Sequence, residues 1–162
     1  MFGKSKREML ILFIIIPILG FIGDFYTKFL VIENVCVLNG NINVLSFFNI
    51  VCVLNTGVSF GMFAGMENGA NILLVVTTLI LGFVYYLMYA EKDLWVRYGY
   101  SLVISGAFGN IIDRFLHKGV IDFLDFYYND WHYPAFNVAD SLVFIGVCVI
   151  IGRQFFVKKE EK

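Results

Sequence analysis

The uncharged run Asn34–Met66, NVCVLNGNINVLSFFNIVCVLNTGVSFGMFAGM, decides the architecture of this chain. On hydropathy alone its 33 residues read as a membrane span. Its polar content says otherwise: Asn34, Asn39, Asn41, Asn43, Asn49 and Asn55 are spread through it, with Gly40, Gly57 and Gly61. Asn39-Gly40 lies between Val35-Cys36-Val37-Leu38 and Asn41-Ile42-Asn43-Val44, a hairpin dipeptide flanked by β-formers. Asn41 to Val44 alternates polar with apolar, and Ile50-Val51-Cys52-Val53 is rich in β-branched side chains. Strands inside lipid must close into a barrel to satisfy their backbone groups, and this segment is too short to make one. The run is therefore expected outside the bilayer, as a small sheet over residues 34–63 on or near the membrane surface.

The rest of the chain is dominated by apolar runs. Of 162 residues, 59% are hydrophobic and only 15% charged, with a mean hydropathy of +0.78. That is too few polar groups to cover a soluble surface. Two Pro and three Cys exclude collagen-like and disulfide-scaffold chains, and a net charge of −1 leaves no basic footprint for nucleic acid. Uncharged runs at Met9–Gly23, Asn68–Ala90 and Tyr98–Ile112, and the run Phe136–Val157 with Asp140 and Arg153 near its ends, predict four transmembrane helices. Their expected bounds are about 9–29, 68–90, 98–115 and 136–157, in a single integral-membrane domain over 1–162. An outer loop is expected at about 117–135.

Charge asymmetry orients the four helices. One side receives Lys4, Lys6, Arg7, Lys92, Arg97, Arg153, Lys158, Lys159 and Lys162; the other receives Lys28, Arg114 and Lys118. Nine against three puts both termini in the cytoplasm. The N-terminal run meets Gly23-Asp24-Phe25-Tyr26 without a small-residue cleavage pattern, so the first helix is expected to be retained. Trp131, Tyr127, Tyr128 and Tyr133 fit an interfacial aromatic belt.

Ionisable groups at a membrane boundary are costly and so point to chemistry. Asp24, Lys28, Asp113, Arg114, Asp122, Asp125 and Asp140 all fall toward the extracytoplasmic side in this topology. Asp24 and Lys28 are spaced i,i+4 for pairing. Gly106, Asn110, Asp113 and Arg114 share one side of a helix, giving a polar end able to pair within itself. Asn137 and Asp140 share a face at a helix start, where the dipole favours anions. Two carboxylates meeting there resist double ionisation and share a proton, the working arrangement of an aspartic hydrolase. Spacing alone leaves open which two. Other chemistries lack support: His117 and His132 form no zinc pattern, Ser59 has no nucleophile elbow, and Cys36, Cys52 and Cys148 show no ligand spacing. Cys36 and Cys52 both fall in the outer sheet, which leaves a disulfide between them open as the less favoured alternative to free thiols. A proton-relay or transport role would distribute acids through the membrane depth, whereas here they gather on one side.

Five motifs in order carry a resemblance. They are Asp24-x-x-Thr27-Lys28, Asn55-Thr56-Gly57-Val58-Ser59-Phe60-Gly61, Gly106 to Arg114 (GAFGNIIDR), Val120-Ile121-Asp122-Phe123, and Pro134 to Ser141 (PAFNVADS). Over nearly its whole length the chain resembles the lipoprotein signal peptidases, the type II bacterial signal peptidases. Ser105, Val58 and Phe25 depart from residues common in that family without touching a carboxylate. The resemblance implies an aspartic endopeptidase that cleaves before the lipidated cysteine of diacylglyceryl-modified prolipoproteins. It implies Asp122 and Asp140 as the catalytic pair, supported by Asp24, Lys28, Asn55, Gly57, Asn110, Asp113, Arg114 and Asn137, with no metal or other cofactor. The chain is expected to act as a monomer among membrane lipids in the bacterial cell (inner) membrane. The sheet would form a cradle over the site, and the outer loop at Lys118–Tyr133 would be mobile and close on the substrate.

Overall fold

The structure is a computed structural model that describes residues 6–38, 40–57 and 69–160. Helix α1 (Lys6–Leu10) passes through a π-helical turn at Ile11–Ile15 into α2 (Ile16–Val31), and a second π-helical turn at Ile32–Cys36 ends the rod. Pro17 lies in the first turn of α2, directly after the first π-helical turn. Helix α3 spans Gly69–Ala90, α4 Leu94–His117 and α5 Val138–Glu160. Asp93 caps α4 by accepting from the backbone N–H groups of Trp95 and Val96 at 2.9 and 3.1 Å. The helix ends at Lys118, which adopts a left-handed φ of 59°.

Among the described residues three helical stretches are long and apolar enough to cross a membrane: Arg7–Cys36, Asn71–Ala90 and Val138–Phe155. Their lipid-suited faces are apolar because the residues around them are, as at Leu79, Phe83, Phe144 and Phe155, all exposed. Helix α4 packs against α2, α3 and α5. Its crossing with α5 is tight: a Cβ on Gly99 would lie 2.8 Å from the Gly146 carbonyl oxygen, and one on Gly146 2.5 Å from that of Gly99. Buried Ser101 and Ser105 tie α4 to the N-terminal rod by donating to the carbonyls of Leu12 (2.6 Å) and Pro17 (3.2 Å). The Ser105 departure therefore brings a satisfied hydroxyl.

Four antiparallel strands, β1 (Ile42–Leu45), β2 (Phe48–Asn55), β3 (Val120–Tyr128) and β4 (Trp131–His132), pair in the order β1-β2-β3-β4. Asn49 pairs with Asp125, Val53 with Asp122 and Asn55 with Val120, with a register shift between Ile50 and Val53. Val31 and Val35, at the end of the first rod, pack with Phe123, Ile50, Leu124 and Val138, which fastens the sheet to the helices.

Four expectations change. The helical rod runs on to Cys36, so Val35 and Cys36 are not a strand. The hairpin turn is at Ser46-Phe47, not Asn39-Gly40 (Asn39 lies outside the described residues). The sheet is confirmed in part: β1 and β2 lie within 42–55, and residues 58–63 lie outside the described residues, as do Ser59 and Val58. Most of the outer loop at 117–135 is not a loop: Val120–Tyr128 is the strand beside β2, because its apolar and aromatic residues find a partner edge remote in sequence.

Cys36 and Cys52, for which the sequence makes a disulfide the less favoured alternative, do form one, with their Cα atoms 5.2 Å apart. The extended rod brings Cys36 beside β2, a proximity that residues 16 apart in sequence do not announce. Replacing both by Ser is expected to cost roughly 3 kcal/mol, the value for a loop of about 15 residues. The check is the thermal midpoint of the purified protein, with and without reductant. An unchanged midpoint would show that the bond adds nothing.

Candidate active site

Five elements deliver polar side chains to the sheet end of the helices. Asp24 and Lys28 come from α2, Asn110, Asp113 and Arg114 from α4, Asn55 and Asp122 from β2 and β3, and Asn137 and Asp140 from the start of α5. Pairing of β2 with β3 places Asn55 beside Asp122, and its Nδ2 donates to Asp122 Oδ2 at 3.0 Å. Gly57 N–H donates to Asn55 Oδ1 at 3.1 Å and so aims the amide with its NH2 toward the carboxylate.

Asn137 joins the two carboxylates. Its Nδ2 lies 2.6 Å from Asp122 Oδ1, its Oδ1 accepts from Asp140 N–H at 2.9 Å, and its own N–H donates to Asp140 Oδ2 at 3.3 Å. The last two bonds are a reciprocal helix cap, which explains why α5 starts here. Asn110 supplies the remaining oxygen of Asp140, donating from Nδ2 to Oδ1 at 2.8 Å. Every oxygen of Asp122 and Asp140 thus meets an N–H donor. Asn137 is fully buried and Asp122 is 3% exposed, while Asp140 is half-buried. Burial pushes the Asp122 carboxyl from 3.8 up to about 6, with the nearby Asp140 charge adding to the rise and the Asn55 and Asn137 hydrogen bonds opposing it.

Behind the pair, Lys28 Nζ is 2.7 Å from Asp24 Oδ2 and 2.9 Å from Asp113 Oδ2, and donates to Asn110 Oδ1 at 3.1 Å. The i,i+4 pair read from the sequence is present, but Lys28 is buried and does not reach toward water. The polar end of α4 pairs both within itself and across helices: Arg114 donates to the carbonyl of Asn110 at 3.3 Å, and Asp113 turns to Lys28 on α2. A charged partner from α2 competes better for a buried carboxylate than a neighbour half-exposed on the same helix. Among the described residues no group of three or more His, Cys, Asp or Glu is placed to hold a metal ion.

Asp125 lies apart. It is buried on the sheet, where Asn49 Nδ2 donates to Oδ2 at 3.2 Å and His132 Nδ1 lies 2.8 Å from Oδ1. Sequence reading attached no role to Asn49 or His132, since their contact depends on strand register.

The model of the family described as "Signal peptidase (SPase) II" matches residues 16–156. The chain belongs to the signal peptidase II family. It is 37% identical over 156 residues to a lipoprotein signal peptidase of Wigglesworthia glossinidia brevipalpis, covering 95% of this chain and 97% of that one. It is also 37% identical over 170 residues to a lipoprotein signal peptidase of Vibrio vulnificus (strain CMCP6), covering both chains completely. A solved structure of a bacterial membrane enzyme superposes with a TM-score of 0.76 at 29% identity, covering 92% of this chain and 90% of that one. Membership makes this a bacterial membrane protein and an aspartic-type peptidase that removes signal peptides from prolipoproteins.

Proposed function

We propose that Asp122 and Asp140 are the catalytic pair of this signal peptidase II and that its substrate is a diacylglyceryl-modified prolipoprotein, cut just before the lipidated cysteine. The observation that carries this reading is the convergence of two carboxylates from different elements on one shared Asn137, with all four oxygens held by donors. Such a pair holds one proton between its members, and burial favours keeping it on Asp122. The ionised member takes a proton from water as the water oxygen bonds to the scissile carbonyl carbon. The protonated member hydrogen-bonds the carbonyl oxygen, and the leaving amine of the cysteine then departs with a proton from the pair. Asn55, Gly57, Asn110, Asn137, Asp24, Lys28, Asp113 and Arg114 hold this geometry, and no metal is called for.

In the membrane α4 is the fourth span. Its 24 residues extend about 36 Å at 1.5 Å each, enough for a hydrocarbon core of roughly 30 Å. The excess of Lys and Arg on one side supports cytoplasmic termini in the cell membrane, with the site facing outward and the monomer as the working unit. A lipid-modified signal segment would then meet the site from within the bilayer, its acyl chains remaining in lipid.

The test uses purified protein with one precursor in two forms, carrying or lacking the diacylglyceryl group. Cleavage of the modified form alone, at the bond before its cysteine, is the expected result. Equal cleavage of both forms, or a cut elsewhere, would refute the substrate assignment.

A further inference from the structure

We propose that Lys28 is a positioning residue that sets the separation of the Asp122 and Asp140 carboxylates. This rests on the catalytic-pair reading above and deepens it. The ammonium has three N–H donors, and three acceptors surround it: Asp24 Oδ2, Asp113 Oδ2 and Asn110 Oδ1. Each acceptor continues to the pair by a separate arm. Asp24 Oδ1 accepts from Ala139 N–H at 2.8 Å, and Ala139 directly precedes Asp140. Asp113 Oδ2 accepts from Ile121 N–H at 3.0 Å, and Ile121 directly precedes Asp122. Asn110 reaches Asp140 itself through Nδ2. One buried cation therefore fixes the backbone immediately before both aspartates, one on the sheet and one on α5.

A simple helix staple would not need this arrangement. Lys28 is 2% and Asp24 1% exposed, so the triad is removed from water at a desolvation cost that its own attraction recovers poorly. An apolar trio would hold α2 against α4 as well, but it offers no acceptor to the N–H groups of Ala139 and Ile121. Gly109 shows how closely the arm is fitted: a Cβ there would lie 2.5 Å from Asp24 Oδ2. Displacing that carboxylate moves the start of α5, where Asp140 sits.

The experiment measures kcat and KM for lipid-modified precursor with Lys28→Met, Lys28→Arg and Gly109→Ala, and with Gly82→Ala as a control whose new Cβ meets nothing within 4 Å. A misplacement of about 1 Å can cost about 100-fold in rate. Lys28→Met is expected to lose about 100-fold in kcat with KM within about threefold of wild type, because the substrate surface is intact. Lys28→Arg, which keeps a cation and donors, is expected to recover at least about tenfold of that loss. Gly109→Ala should lose about tenfold in kcat without altering any charge, and Gly82→Ala should lose nothing. A folded Lys28→Met with wild-type kcat overturns the proposal, as does a change confined to KM. If Lys28→Met does not fold, Asp24→Asn and Asp113→Asn decide, since each retains an oxygen for its backbone N–H. About tenfold loss of kcat in each supports the spacer, and wild-type kcat in both overturns it. Asp122→Asn and Asp140→Asn are run alongside. Normal cleavage by those two would remove the catalytic-pair reading, whereas their inactivity beside active Lys28 variants removes only the spacer.

Discussion

Replacing Asp122 or Asp140 by Asn is expected to lower turnover of a lipid-modified precursor by about 1,000- to 10,000-fold each. An amide has nearly the shape of a carboxylate, but it neither carries the shared proton nor accepts one from water. The two variants should also fail to add: once either member is lost, removing the other costs little more, because they act as a unit. Asp122→Asn has a structural consequence as well. Both Asp122 oxygens accept from Asn side chains, so one amide N–H of the substitute must face the NH2 group of Asn55 or Asn137. A modest drop in thermal midpoint is expected there, and it must be measured to separate loss of chemistry from loss of fold. Either variant retaining a tenth of wild-type turnover would remove that aspartate from the pair.

Asn137→Ala is expected to lower kcat by about 100- to 1,000-fold, the range found when one aimed donor is removed from an active site. This side chain donates to Asp122 at 2.6 Å and accepts from Asp140 N–H at 2.9 Å, so its loss loosens both carboxylates at once. The pH profile carries a second signature. The Asp122 carboxyl is raised to about 6, so kcat/KM of the wild type should fall above about pH 6 as the shared proton leaves the pair. A hydrogen bond to the charged form favours that form, and Asn137 therefore holds Asp122 lower than it would otherwise be. Removing it must raise the carboxyl further, and the alkaline limb should move to higher pH. A limb that stays in place, or moves down, would show that Asn137 does not act on Asp122.

Much of the site lay open in the sequence because its residues are polar where lipid penalises polarity. Asp24 and Lys28 stood out as a charged pair closing an apolar run, and Asn137 with Asp140 as a cap opening one, and both pairings are local consequences of helical spacing. The family motifs were likewise legible residue by residue. The outer strand was harder to see. Val120–Tyr128 contains two carboxylates and borders a charged helix end, so by itself it reads as a loop, and only the free edge of β2 makes it a strand.

What the chain by itself determined is its solvent and its candidate chemistry: a charge content of 15% demands lipid, and the few ionisable groups left at the boundary demand partners. Which partners they take was decided only by the tertiary structure. Asn55 and Asp122 are 67 residues apart, Lys28 and Asn110 82, and Asp24 and Ala139 115. The same holds for the Cys36–Cys52 bond, which depends on how far the first rod extends before the sheet begins. Local periodicity can state which face of a helix or strand a group occupies. The element that arrives opposite that face, and hence the acceptor a buried donor finds, follows from packing the whole molecule.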